Sequence, residues 1–276
     1  MNTPEELKNT VKEKYAEIAL QSKEENATSC CGVDGCSTVD YTIFSEDYSK
    51  LEGYSEDADL SLGCGIPTEF AQIKKGDTVL DLGSGAGNDC FVARALTGEK
   101  GKVLGLDFTD VMINKARENA DKLGFNNVEF RQGDIEQMPI GGESIDVVVS
   151  NCVLNLVPNK TKAFSETFRV LKAGGHFSVS DVVLKGELPA GLKNDAEMYA
   201  GCVSGAIQKE DYMNIIHETG FEEVVIQKEK PIVLPDEILK NYLSEEEING
   251  YKQGEFGIFS ITVFGKKPEC GPDCCC

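Results

Sequence analysis

Eleven cysteines but only two histidines, His176 and His217, occur in this chain of 276 residues. Any soft ligand set it builds must therefore come mainly from thiols. The cysteines are unevenly spread. Cys30, Cys31 and Cys36 lie in a short glycine-containing stretch. Cys64, Cys90, Cys152 and Cys202 are dispersed. Cys270, Cys274, Cys275 and Cys276 form a tail after Pro268. The dispersed spacings contain no local zinc signature such as CxxC, so any shared site depends on the fold to gather them. A lone cysteine is most often a small buried hydrophobe. Position alone can promote one of these to chemistry.

A second pattern is Asp81-Leu82-Gly83-Ser84-Gly85-Ala86-Gly87. Glycines let the chain turn sharply and let a ligand approach the backbone. A helix starting just after them offers oriented N–H groups. GxGxG alone can arise by chance, but here an apolar strand precedes it and a helical segment follows. Asp107 stands about twenty residues beyond the glycines, at the tip of the next strand, where an acid can accept both hydroxyls of a ribose. Asp134, in Gly133-Asp134-Ile135, ends a third strand. It is placed to reach an adenine amino group, with Ile135 against the ring. Each acid alone fits a solvated loop or a helix cap. Three at successive strand ends point to a nucleoside-bearing ligand, either a dinucleotide or S-adenosylmethionine.

The elements that must position these residues alternate. Short apolar strands are expected at 78–83, 102–107, 128–134, 144–151 and 176–183. Helices are expected at 88–97, from a Thr109 cap to Leu123, at 160–171 before Gly174-Gly175, and at 209–221 with Gly220 as its C-terminal cap. Further β-rich runs cover 223–230 and 256–267, the last packed hairpin-like against its neighbour. This order predicts a doubly wound α/β fold with a mostly parallel sheet of seven strands. Residues 186–208 read as a segment covering the sheet's C-terminal edge, and 233–254 as a second, acidic insertion.

The formal net charge of −20 works against nucleic acid and anionic membrane surfaces as partners. No apolar run approaches the ~18 residues of a membrane span. The N-terminus lacks the apolar core of a signal peptide and reads as an amphipathic helix capped by Thr3, with Pro4 in its first turn. A cytoplasmic protein with initially reduced thiols is expected, and a monomer.

Asp81 at its strand end, the GxGxG spacing, Gly133-Asp134-Ile135 and the expected antiparallel seventh strand resemble class I methyltransferases, with their Rossmann-like sheet. The resemblance covers roughly residues 70–267. It implies S-adenosylmethionine as cofactor, with Gly83, Gly85 and Gly87 around its methionine moiety and Asp107 on its ribose. Asp81, Ser84, Asp134, Ile135 and Asn151 complete the donor site under this resemblance. LGCGIP, VLDLGSGAGNDC, SNCVLNLVP, RVLKAGG and GCVSGA resemble, more closely, arsenite S-adenosylmethionine methyltransferases over about residues 38–232. That resemblance implies that Cys64, Cys152 and Cys202 bind trivalent arsenic, with Cys152 bordering the donor methyl group. It also implies an arm cysteine, Cys30 or Cys31, as redox partner, and thioredoxin or glutathione as reductant. Cys90 fits the family pattern, but its place on the helix after the glycine loop suggests packing. The flanking glycines suggest an accessible thiol at Cys64.

The chemistry agrees with this implication. Trivalent arsenic is soft and prefers thiolates to carboxylates or imidazoles. Three thiolates around it leave a lone pair at the apex of a trigonal pyramid, and that lone pair is a nucleophile needing no general base. The organisation expected is a helix and cysteine-bearing arm over 1–66, a methyltransferase domain over 67–267 with 186–208 as its arsenic-site insertion, and a cysteine-rich tail over 268–276. Two other readings compete. One is a methyltransferase for a small organic acceptor such as a quinone, which needs no convergent thiols. The other is a non-enzymatic thiol-rich metalloid-binding protein, which needs no methyl donor.

Overall fold

The computed structural model describes residues 3–20, 46–187, 205–232, 236–240, 242–253 and 256–269. Helix α1, Pro4–Leu20, begins in a reciprocal cap: the Glu6 N–H donates to Thr3 Oγ1 at 3.3 Å, and the Thr3 N–H to Glu6 Oε2 at 2.6 Å. Val11, Ile18 and Ala19 on this helix are buried, so it packs onto the domain.

After a short α2, Pro67–Phe70, the chain alternates as expected. Strand β1 is Thr78–Leu82, followed by α3, Asn88–Thr97. Strand β2 is Lys102–Asp107, followed by α4, Asp110–Leu123. Strands β3, Val128–Gln132, and β4, Ile145–Asn151, precede α5, Lys160–Val170. Strand β5, Leu171–Lys185, leads to α6, Lys209–Glu218, and β6, Glu222–Ile232. Helices α7, Asp236–Leu239, and α8, Glu245–Gln253, occupy the acidic insertion before β7, Gly257–Lys266.

The sheet runs β3-β2-β1-β4-β5-β7-β6. Strands β1 to β5 pair in parallel, and β7 lies antiparallel between β5 and β6. The order reverses between β1 and β4, which opens a crevice beyond their carboxyl ends. Apolar residues of β1, β2, β4 and β5 fill both faces: Leu80, Leu82 and Val148 pack toward α5 and α6, while Val79, Val103 and Val147 pack toward α3 and α4.

Several boundaries differ from expectation. Strand β5 begins directly after α5, and Gly174-Gly175 does not end a helix. The pair lies in a register irregularity, where Ile145 opposes Leu171 but Val147 opposes His176, and Gly174 takes φ +75°. Strand β3 stops at Gln132, leaving Asp134 in the following loop, bridged to Gln137. Thr109 occupies the N-cap position of α4, yet its hydroxyl makes no cap bond. The Asp107 carboxylate takes the Thr109 N–H instead, at 2.8 Å. Helix α6 ends at Glu218, with Gly220 just beyond at φ +101°. Among the described residues no helix is long and apolar enough to cross a membrane. Cys30, Cys31, Cys36, Cys202, the tail cysteines and most of the 186–208 segment lie outside the described residues.

Candidate functional site: a donor cavity beside a thiol cluster

The glycine loop leaves the end of β1 with Gly83, Gly85 and Gly87 at φ +69°, +49° and +101°. Their reasons differ. A Cβ on Gly83 would sit 2.4 Å from Val153, and one on Gly87 would sit 2.8 Å from the Phe91 ring. A Cβ on Gly85 would meet nothing within 4 Å, because that residue faces open space. Asp107 braces the loop: its Oδ2 accepts the Gly85 N–H at 3.0 Å.

A cavity opens here, walled by Asp81, Gly83, Ser84, Gly85, Asp107, Asp134, Ile135 and Asn151. Of the residues expected around a donor, Gly87 stands behind this wall, packed on Phe91. The wall also includes residues no motif indicated. Helix α1 contributes Lys8, Val11 and Tyr15, and the segment before β1 contributes Tyr48 and Leu62. Lys8 Nζ pairs with Asp134 Oδ2 at 2.7 Å and with Glu136, clamping α1 across the cavity. Burial alone would depress the Lys8 pKa, but these two carboxylates outweigh it and hold the pKa up.

Two observations describe what the cavity accepts. Buried oxygens of Ser84, Asn88 and Thr109 lack any hydrogen-bond partner, and all three residues line the wall; buried polar atoms are normally satisfied. Three buried carboxyls also meet there. Burial and the neighbouring Asp89 and Asp107 charges push Asp81 well above the usual carboxylate range, against a hydrogen bond from Cys90. Burial raises Asp89 to about 6, opposed by hydrogen bonds from Asn151 and Tyr48. Burial also raises Asp107, opposed by the Thr109 and Gly85 N–H groups. Such a set favours a cationic ligand carrying hydroxyls, because a cation restores the ionised form of each acid.

At the end of β4 the chain turns through Cys152, whose φ is +60°. This left-handed conformation is uncommon for any residue that carries a Cβ. The Cys152 N–H donates to the Ser180 carbonyl at 2.7 Å and holds the turn. Cys152 borders the cavity and is 4% exposed. Strand register explains its second neighbour. Asn151 opposes Ser180, so the next residues along the two parallel strands are Cys152 and Asp181.

Cys64 reaches the same place from a loop. Its N–H donates to Asn151 Oδ1 at 3.0 Å, and its carbonyl accepts the Ser260 hydroxyl on β7. Asn151 Nδ2 donates to Gly65 O and to Tyr48 Oη, each at 2.8 Å, and Tyr48 in turn bonds Asp89 at 2.9 Å. Asn151 therefore ties the Cys64 loop to the cavity wall. The glycines beside Cys64 do not expose it, contrary to expectation: Cys64 is 1% exposed. A Cβ on Gly63 would collide with Asn151 at 2.4 Å, and one on Gly65 with Ser180 at 2.6 Å. They are small because the loop packs tightly.

The Sγ atoms of Cys64 and Cys152 and a carboxylate oxygen of Asp181 all lie within 4.8 Å of one another, and all three residues are buried. Their surroundings are apolar, with Leu156, Val182, Leu243, Ile248 and Ile258 in the same cluster. Asp181 was not anticipated. The available signal was a single acid inside the otherwise buried strand HFSVSDVV. Cys90 stands apart. It packs with Phe91 and Val79, donates to Asp81 Oδ2 at 3.2 Å, and has its thiol pKa pushed well up by burial and that acid.

Comparison with known proteins agrees with this geometry. A family profile described as "Methyltransferase domain" matches residues 73–220. An arsenite methyltransferase of Halobacterium salinarum is 39% identical over 278 aligned positions, covering 96% of this chain and 68% of that protein. The chain belongs to the arsenite methyltransferase family. A second arsenite methyltransferase, from Aquipseudomonas alcaligenes, is 30% identical over 95% of this chain and 74% of its own. Among solved structures, an arsenic(III) S-adenosylmethionine methyltransferase from Chlamydomonas reinhardtii superposes with a TM-score of 0.63 at 34% identity, over 76% of this chain and 68% of that one. The seven-stranded sheet of this chain is the class I methyltransferase fold expected from the alternating strands and helices.

Proposed function

We propose that this chain transfers methyl groups from S-adenosylmethionine to trivalent arsenic held by the thiolates of Cys64, Cys152 and Cys202. The observation that carries the reading is the convergence of the Cys64 thiol on that of Cys152, a residue in the wall of an acid-lined cavity. Neither a quinone methyltransferase nor a passive metalloid trap needs both features together.

The cavity suits the cofactor. Asp107 and the Gly85 backbone are suited to the ribose edge, Ile135 to the adenine face, and Asp81 and Asp89 to the positive charges of the methionine end. Ser84, Asn88 and Thr109 have buried oxygens waiting for partners. S-adenosylmethionine supplies an electrophilic methyl group. The chain's own residues do the remaining work, which is orientation. Arsenite exchanges each hydroxyl for a thiol sulfur, and each exchange releases water with the thiol proton. On Cys152, at the cavity wall, arsenic can present its lone pair toward the donor. Cys202 is the third thiolate by family resemblance.

Methyl transfer leaves arsenic formally pentavalent. Two thiols restore the lone pair by giving up two electrons and forming a disulfide. Cys64 and an arm cysteine, Cys30 or Cys31, are suited to this role, with thioredoxin or glutathione as the external reductant. Mass analysis of arsenic products tests the function. Incubation with arsenite, S-adenosylmethionine and thioredoxin should yield methylated arsenicals; their absence, with donor binding intact, overturns it.

A further inference from the structure

Asp181 is the acid that nothing in the donor site explains. It is fully buried in the middle of β5, between strands β4 and β7. A buried carboxyl is costly unless it is hydrogen-bonded or paired, and its neighbours from Phe177 to Leu184 are otherwise apolar residues and serines. Its Oδ1 accepts the Val182 N–H at 3.0 Å, and its Oδ2 accepts the Tyr212 hydroxyl at 3.2 Å. The Asn155 N–H also donates to this carboxylate, whose roughly four lone-pair sites leave room for one more donor. One of these oxygens stands within 4.8 Å of both the Cys64 and Cys152 sulfurs.

We propose that Asp181 is a specificity-determining residue: it holds, by a hydrogen bond, the hydroxyl that remains on arsenic once arsenite has bonded to Cys64 and Cys152. The inference rests on the arsenite-methylating reading above. Arsenite carries three hydroxyls, and two are exchanged for sulfur with loss of two waters. The third substituent of the pyramid points away from the edge joining the two sulfurs. Asp181 places a carboxylate oxygen beside both sulfurs, where it can meet it. The carboxylate accepts from the As–OH group, and the neutral acid can bond the same oxygen, so the contact needs no proton transfer. The held hydroxyl fixes the rotation of the arsenic centre until a third thiol replaces it, releasing a third water. Monomethylarsenite has only two exchangeable groups. Once on two thiols it keeps no hydroxyl for Asp181 to hold.

The substrates therefore separate the roles. In the full-length protein, Asp181→Leu removes the acceptor while keeping an apolar group of similar shape, and Asp181→Asn restores an acceptor oxygen. Initial rates are measured on arsenite and on monomethylarsenite, with thioredoxin as reductant so that free arsenite keeps its hydroxyls. Donor affinity is measured beside them by calorimetry. Asp181→Leu should lower kcat/KM for arsenite tenfold or more and change that for monomethylarsenite less than twofold. Asp181→Asn should recover arsenite activity to within threefold of wild type. Equal losses on both substrates would assign Asp181 a purely structural role through Tyr212 and overturn the proposal, as would unchanged arsenite activity in the leucine variant. If the leucine variant loses donor binding, the asparagine variant decides: arsenite activity within threefold supports the hydroxyl contact, and parallel loss on both substrates overturns it. A wild-type protein that methylates neither arsenical refutes the wider reading and is distinguishable from all of these results.

Discussion

The donor cavity and the thiol cluster meet at Cys152 but are built on opposite principles. The cavity sets buried acids into a largely apolar lining, and those acids and glycines come mainly from one βαβ run: the glycine loop, Asp89 on α3 and Asp107 at the end of β2. The thiol cluster is apolar apart from its reactive atoms. It draws Cys64 from a loop before the sheet, Cys152 from the end of β4 and Asp181 from the middle of β5. The first site is local in sequence because a nucleoside is bound largely by backbone and strand-tip groups. The second is assembled only by strand register and by the Asn151 strut. A site of the first kind advertises itself as a motif; a site of the second kind exists only once the sheet has formed.

The largest effect should come from breaking the cluster while sparing the cavity. Cys152→Ser should abolish methylation of both arsenite and monomethylarsenite, because a hydroxyl is too hard to replace a thiolate on arsenic. Donor affinity should be unchanged by calorimetry. Substantial turnover of arsenite by this variant would refute the thiolate site. Cys64→Ser should abolish arsenite methylation yet leave some activity on monomethylarsenite.

The converse change spares the cluster. Asp107→Ala should weaken S-adenosylmethionine binding by about 1.5–3 kcal/mol, the value of a hydrogen bond to a charged group. Arsenite binding in the absence of donor should persist. If titration calorimetry finds the donor affinity unaltered, Asp107 does not belong to the site.

A smaller effect should appear with pH. Asp89 titrates at about 6 in the folded protein, raised by burial from 3.8. A cationic donor prefers its ionised form, so donor affinity should rise as pH increases from 5 to 7. Asp89→Asn should flatten that rise. The same raised pKa means that the folded state holds this proton above pH 4 while the unfolded chain releases it. Stability from this group is accordingly lost, not gained, as pH climbs toward 6. A pH-independent affinity in wild type would remove Asp89 from the donor's charge environment.

The smallest effect belongs to the tail. Deleting residues 269–276 should leave the maximal rate at saturating arsenite nearly intact, if Cys270, Cys274, Cys275 and Cys276 serve only to collect metalloid. A large loss of rate would bring the tail into the catalytic centre.

The contrast also explains what the sequence conveyed. Apolar runs such as TVLDL and IDVVVSN specify buried parallel strands directly, and the acids at their tips mark the crevice. Gly174-Gly175 misled because a glycine pair looks like a terminator, whereas here it accommodates an irregular register inside β5. The glycines around Cys64 misled for a similar reason. Small size permits exposure but equally permits close packing, and contacts with Asn151 and Ser180 decide for packing. Tyr48, Lys8 and Asp181 lie in no motif. Their roles depend on which distant segment lands beside them, and local pattern carries no trace of that.

Holding Cys152 at φ +60° costs of the order of 1–3 kcal/mol, and glycine would adopt the same backbone freely. Glycine at residue 152 would relieve that strain but leave a gap in the apolar cluster the sulfur now fills. Cysteine there keeps a strained backbone for the sake of its sulfur, and the melting curve of a Cys152→Gly variant, inert toward arsenic, weighs that strain against the packing the sulfur provides.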